Sequence, residues 1–132
     1  LSQYVGIQFV ERGRDMSGLD CYGFVWLIYK DILGIELPRY EGSCELGKEQ
    51  DAIQALVDGE IATNQWIRVQ PEEVQDLDVL FLEHFGRMHV GVSIGRGKVM
   101  HMTHRGIVVD DYRRAGVTGR ILLCFRHRSR AL

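Results

Sequence analysis

The sequence has little cysteine: Cys21, Cys44 and Cys124 are the only three in 132 residues. They are too few and too scattered for a disulfide framework. It also lacks charge of one sign. Sixteen Lys and Arg stand against eighteen Asp and Glu, a formal net charge of -2, so no basic bias points to nucleic acid as a partner. No apolar run approaches the ~18 residues needed to cross a bilayer, and no membrane span is expected. The stretch Leu1 to Val10 has neither a basic start nor a sustained apolar centre, so no signal peptide is read there. Repeats, low-complexity tracts and linkers are missing too. What remains is 45% hydrophobic content, which suits one globular domain over residues 1–132 with a single core.

Among the residues present, Cys21 has the most reactive setting. It stands in Gly18-Leu19-Asp20-Cys21-Tyr22-Gly23-Phe24-Val25, where a polar, Gly-rich stretch gives way to an apolar one, as at the start of a helix. Unpaired N–H groups and the positive end of the helix dipole favour thiolate there, below the free thiol pKa of ~8.5. The pattern predicts a helix from about Asp20 to Leu33, ended by Gly34 with Pro38 beyond. Cys21, Val25, Ile28 and Ile32 form one stripe along it, and Phe24, Trp26, Leu27 and Tyr29 make it largely buried. Cys124, in Ile121-Leu122-Leu123-Cys124-Phe125, reads as a buried strand residue. Cys44 lies in a loop-like run with no partner motif.

A second helix is predicted across Lys48 to Asp58, with Ile53, Leu56 and Val57 on its apolar face. Strands follow at Trp66 to Val69, Asp78 to Glu83, Met88 to Ile94, Lys98 to Thr103, Gly106 to Val109 and Gly119 to Phe125. Helices first and adjacent strands later predict an α+β fold with a mostly antiparallel sheet. In the strand from Met88 to Ile94, His89, Gly91 and Ser93 share one face. A three-residue connection, Gly95-Arg96-Gly97, would set Ser93 opposite Val99 and Gly91 opposite His101. His89 and His101 would then be diagonal neighbours on one face, ~7–8 Å apart at the backbone. A two-residue loop would flip the second strand and separate them.

These parts suit a cysteine hydrolase. Cys21 would attack a carbonyl carbon, and His89 would take the thiol proton and return one to the leaving amine. His101 would orient the His89 ring and favour its charged form. Backbone N–H groups at the helix start, that of Cys21 included, would contribute to an oxyanion hole. No cofactor is called for.

The blocks Asp20-Cys21-Tyr22-Gly23-Phe24-Val25, His89-Val90-Gly91-Val92-Ser93-Ile94-Gly95 and Lys98-Val99-Met100-His101 resemble, in order, the three motifs of the NlpC-type cell-wall peptidases. The resemblance covers most of the chain. It implies a minimal papain-like fold, with the nucleophile helix packed on the sheet. The activity it implies is cleavage of peptidoglycan stem peptides, commonly at the bond between D-γ-glutamate and a diamino acid. Residue by residue it makes Cys21 the nucleophile, His89 the base and His101 the third member of a triad. Tyr22, the run Leu33 to Tyr40 and the opening Tyr4 to Phe9 resemble the phage tail-assembly branch. That implies a place at a phage tail or in the bacterial envelope, with other tail proteins as partners.

Three positions depart from the family pattern, which usually has Ser at Tyr22, Tyr at Phe9 and Gly-Asp at Leu77-Asp78. If the tyrosine serves the oxyanion hole in relatives, Tyr4 or Tyr22 replaces it here, or backbone alone suffices. Asp20 has two compatible readings. The stronger is a helix N-cap, and the other is a contact to the free amine of a stem peptide. Its carboxylate would by itself raise the Cys21 pKa, so the helix and histidine must outweigh it.

Three rival functions are weaker. Zinc held by His84, His89, His101 and His104 lacks C-x-x-C or H-E-x-x-H spacing, and strand alternation puts His101 and His104 on opposite faces. An inactive structural or wall-binding tail module of the same fold is possible in principle, but all three triad positions are filled. Acyl transfer by related folds resembles a motif order with His before Cys, the reverse of this one. The basic end Arg126 to Arg130 reads as a solvated tail.

Overall fold

Alternating apolar residues in the second half of the chain build a six-stranded antiparallel sheet, the frame that positions everything else. The computed structural model describes residues 2–10, 13–37, 65–84, 87–103, 105–113 and 121–130. For Cys21, Glu83, His84, Arg87, Met88, His89, Ile121 and Leu122 it describes the backbone alone. The helix expected over Lys48 to Asp58, and Cys44, lie outside the described residues.

The strands are β1 (Arg14–Asp15), β2 (Gly18–Leu19), β3 (Trp66–Arg68), β4 (Val79–His84), β5 (Arg87–Gly95), β6 (Lys98–Thr103), β7 (Gly106–Asp111) and β8 (Ile121–His127). β1 and β2 form a small hairpin of their own. The other six run in the order β3-β8-β4-β5-β6-β7. With one α-helix among the described residues, ahead of a mostly antiparallel sheet, the fold is α+β, as the order of apolar patterns predicts.

The helix α1 spans Cys21–Ile28 and continues into a π-helical turn, Tyr29–Leu33, that closes on Gly34 in the left-handed conformation (φ 66°). The expected end at Gly34 is thus found, with a wider last turn. That turn carries Ile32 off the apolar stripe, so Ile32 is exposed while Val25 and Ile28 are fully buried.

Strand alternation divides the core. Val79, Phe81, Val90, Val92, Met100, Met102 and Phe125 belong with the buried residues of α1 in the main core. Leu80, Leu82, Val99 and Cys124 point the other way, into a second cluster with Val69. Burial pushes the Cys124 thiol pKa up to about 11, in keeping with an inert strand cysteine.

Two connections tie the chain to itself. Near the start, the Gly6 N–H donates to the Ile107 carbonyl, and the Ile107 N–H donates to that of Ile7. This lays the opening segment along β7. Near the end, Asp78 is fully buried and accepts two hydrogen bonds from Arg126, at 3.0 and 2.8 Å, and a longer one from Arg130 at 3.4 Å. The Arg126 to Arg130 run is therefore no solvated tail. A buried carboxylate needs cationic partners, and β8 with the 3-10 turn after it supplies them.

Leu77 adopts φ 69°, a left-handed conformation that glycine enters without strain. The Leu77 carbonyl accepts from the Tyr29 hydroxyl at 2.5 Å, and the Leu77 N–H donates to the Ser93 carbonyl at 2.7 Å.

Candidate active site

The start of α1 is built by its N-cap. Asp20 is fully buried, and its Oδ1 accepts from the Gly23 N–H at 2.6 Å, while its carbonyl accepts from the Phe24 N–H. The capping reading of Asp20 is therefore realised. Cys21 is the first helical residue, at the positive end of the helix dipole.

Beneath the cap lies Arg14, which the sequence did not single out. Its Nη1 donates to Asp20 Oδ1 at 2.8 Å and to the Gly13 carbonyl at 2.8 Å. The Arg14 and Asp20 side chains are 3% and 0% exposed. The guanidinium lies 5.7 Å from the centre of the Tyr22 ring, within cation–π range. Asp20 is thus half of a buried ion pair, which offsets the pKa-raising field a bare carboxylate would exert on the neighbouring thiol. Glycine makes the approach possible. A Cβ on Gly23 would collide with the Gly13 carbonyl and stand 2.7 Å from Arg14 Nη1.

The hairpin of β5 and β6 sets the other half. Gly91 pairs with His101 and Ser93 with Val99, as the parity argument requires. The connection differs from the expected one. Gly95 pairs with Lys98, so the turn has two residues, Arg96 and Gly97, both at positive φ, and a register shift between Ser93 and Gly95 restores the parity. Positions 89 and 101 therefore share a face. It is the face opposite Val90, Val92, Met100 and Met102, so contact between Cys21 and His89 would be made past the start of α1 rather than through the layer beneath it. The side chains of Cys21 and His89 lie outside the described residues.

His101 is described in full. It is 3% exposed, and its Nε2 lies 2.7 Å from Oδ2 of Asp110 on β7. Asp110, missed in the sequence, sits two residues beyond Val108, the residue opposite His101, and pairs with Val99. It is thus diagonal to the histidine on the same face. Of the four histidines in the zinc alternative, only His101 has a described side chain, and its Nε2 faces Asp110.

The tyrosine candidates separate. Tyr22 is fully buried against Arg14. Tyr4 is buried too, and its hydroxyl donates to Asp31 at 3.1 Å; burial, and then this bond, raise its pKa. Asp31 is ten residues beyond Cys21, about 15 Å along the helix axis, so the structure does not bring the Tyr4 hydroxyl to the nucleophile position. Phe9 forms a parallel bridge with Leu19, two residues before Cys21, and its partly buried ring packs on the main core.

The chain resembles known proteins along nearly its whole length. It is 27% identical over 126 residues to the gamma-DL-glutamyl hydrolase of Bacillus subtilis (strain 168), a match that takes in 89% of this chain and 26% of that protein. The chain thus spans about a quarter of that relative's length. Its fold matches the NlpC/p60 domain of the peptidoglycan hydrolase SagA with TM-score 0.62 at 19% identity, covering 95% of this chain and 91% of the other. It also matches RipD of Mycobacterium tuberculosis, a non-catalytic NlpC/p60 domain protein adapted to peptidoglycan binding. There the TM-score is 0.55 at 18% identity, with 93% and 87% coverage. The family model for NlpC/P60 matches residues 6–126, a span that takes in the capped helix start, the paired β5–β6 hairpin and β7. With the helix, the motif blocks and all of the sheet but its last residue inside that span, the chain belongs to the NlpC/P60 family.

Proposed function

We propose that this chain is a cysteine endopeptidase acting on peptidoglycan stem peptides, at the amide between D-γ-glutamate and a diamino acid. Membership of the family and the likeness to a gamma-DL-glutamyl hydrolase support the substrate class. The observation that carries the chemistry is the β5–β6 register. It holds His101 opposite Gly91, two residues from His89, in a chain whose Cys21 begins the capped helix.

The Cys21 thiolate attacks the amide carbonyl carbon. The C–N bond breaks as His89 gives its proton to the departing amine, leaving a thioester on Cys21. Water, deprotonated by His89, then attacks the thioester and releases the acid and the thiol. His101 holds the His89 ring and favours its charged form. The cap engages the Gly23 N–H and the helix engages that of Phe24, which leaves the first amides of the helix, that of Cys21 included, to contribute to the oxyanion hole. Tyr22 and Asp20 border this position. Asp20 Oδ2, buried and with no hydrogen-bond partner among the described residues, is the atom that the second reading of Asp20, a contact to a substrate amine, would use. The Tyr22, Leu33–Tyr40 and Tyr4–Phe9 blocks support a tail-borne enzyme that aids wall penetration.

The test is cleavage of purified muropeptides containing L-Ala-γ-D-Glu-diamino acid, followed by mass spectrometry. Cysteine-dependent cleavage is expected, abolished by Cys21→Ala. An unchanged rate in the alanine variant overturns the nucleophile. Wall binding with no cleavage by either protein would instead favour an inactive binding module, the reading prompted by the fold likeness to RipD. For the tail assignment, antibody labelling at the tips of purified tails is expected; recovery from host envelope alone overturns it.

A further inference from the structure

We propose that Asp110 is a positioning residue for hydrolysis, acting on the catalytic pair through His101; this rests on the peptidase reading above. The observation is the contact between His101 Nε2 and Asp110 Oδ2 at 2.7 Å, with the His101 side chain 4% exposed and that of Asp110 30%. An ionised carboxylate only accepts hydrogen bonds. The proton at this contact therefore belongs to Nε2, and a bond of this length to an ionised acceptor is of the stronger kind.

Fixing the proton on Nε2 decides what the other ring nitrogen offers. Neutral His101 then carries a lone pair on Nδ1. Across β5 its direct partner is Gly91, which has no side chain, and its diagonal neighbours on that face are His89 and Ser93. On β7 the direct partner is Val108. Gly91 also brings the strands close, since a Cβ there would lie 2.6 Å from Val99 Cγ2 and 3.1 Å from His101 Cβ. An acceptor at Nδ1 is what a His89 imidazolium needs while Cys21 is a thiolate. Asp110 thus places a negative charge one ring away from the base and gives up no proton itself. When His89 protonates the leaving amine and later takes a proton from water, the proton on His101 Nε2 stays where it is.

Replacing Asp110 by asparagine tests the tautomer with little change of size. An amide N–H facing Nε2 would favour the Nδ1–H form of His101 and turn an acceptor toward His89 into a donor. Loss of a directly bonded triad carboxylate by this change costs ~10⁴ in kcat. One ring further away, Asp110→Asn is expected to lower kcat roughly ten- to a hundredfold while KM changes less than about threefold, with Asp110→Glu recovering part of the loss. Nitrogen-15 shifts should report His101 as the Nε2–H tautomer in the unmodified protein and as Nδ1–H in Asp110→Asn. A wild-type kcat in Asp110→Asn overturns the proposal, as does an Nδ1–H tautomer in the unmodified protein, a measurement that needs no variant to fold. If the unmodified protein cleaves nothing, the peptidase reading fails. Control of His101 by Asp110 is then judged on the nitrogen shifts alone.

Discussion

Arg14 and Asp20 carry the tightest electrostatic balance at the residue scale. Their side chains are almost wholly excluded from water, and they share one short contact directly under the first turn of α1. Removing one partner of such a pair strands the other charge, at a cost of about 3–5 kcal/mol. Arg14→Met is therefore expected to lower the denaturation midpoint steeply. In whatever fraction stays folded, the uncompensated Asp20 carboxylate should raise the Cys21 thiol pKa, read as a shift of the alkylation-rate profile to higher pH. An unshifted profile would mean that Arg14 only stabilises. Half of this pair was legible in the sequence. Asp before an apolar run is a capping signal, but Arg14 lies on a two-residue strand, too short for any alternation to show that its side chain turns inward. Asp110 was hidden for a related reason. Beside Asp111 it looks like an ordinary polar strand end, and only the register with β6 reveals which of the two faces His101.

At the scale of elements, glycine allows the first turn of α1 to meet the β1–β2 hairpin. A methyl group on Gly23 would strike the Gly13 carbonyl, which cannot swing aside like a side chain, and would crowd Arg14 Nη1 and Asp20 Oδ1 at 2.7 and 2.9 Å. Gly23→Ala, nominally favourable in a helix by about 1 kcal/mol, is expected to destabilise instead, by roughly 1–3 kcal/mol as in other overpacked sites. Thermal melting checks the sign. The helix and the strands were legible because each repeats its apolar period over several residues. The π turn and the register shift were not, because each adds one residue locally without altering the pattern on either side. In the β5–β6 hairpin two differences from the expected connection cancel. A shorter turn would have flipped β6, and the shift before it flips it back, so the expected pairs form through a different route.

Across the whole molecule, the chain's later strands close on one another around buried polar groups. His127, at the end of β8, sits in an aromatic cluster with Trp66 and Tyr29, and its Nδ1 is 2.8 Å from the Ser129 hydroxyl. Burial, and then the nearby Arg130 charge, lower its pKa below the usual 6.5. Between the lowered folded value and 6.5 the unfolded chain binds more protons than the folded one, so stability should fall as pH drops through this window. Denaturant midpoints measured from pH 8 to 5 should decline, and His127→Phe should flatten that decline; an equal slope in the variant would assign it to other groups.

The opening segment has a consequence of another kind. β7 is the last strand of the sheet order, and the bonds from Gly6 and to Ile7 occupy the backbone of Ile107 at that edge. The segment from Gly6 to Phe9 thus runs from the edge of the sheet to the bridge with Leu19, two residues ahead of Cys21. Sheet edges invite a strand from a neighbouring molecule. The same segment that bridges to the β1–β2 hairpin also stands where such a strand would add. A chain shortened by its first ten residues should therefore associate with itself as its concentration rises in size-exclusion runs. The segment would then be what keeps one copy of the chain from pairing with another through this edge.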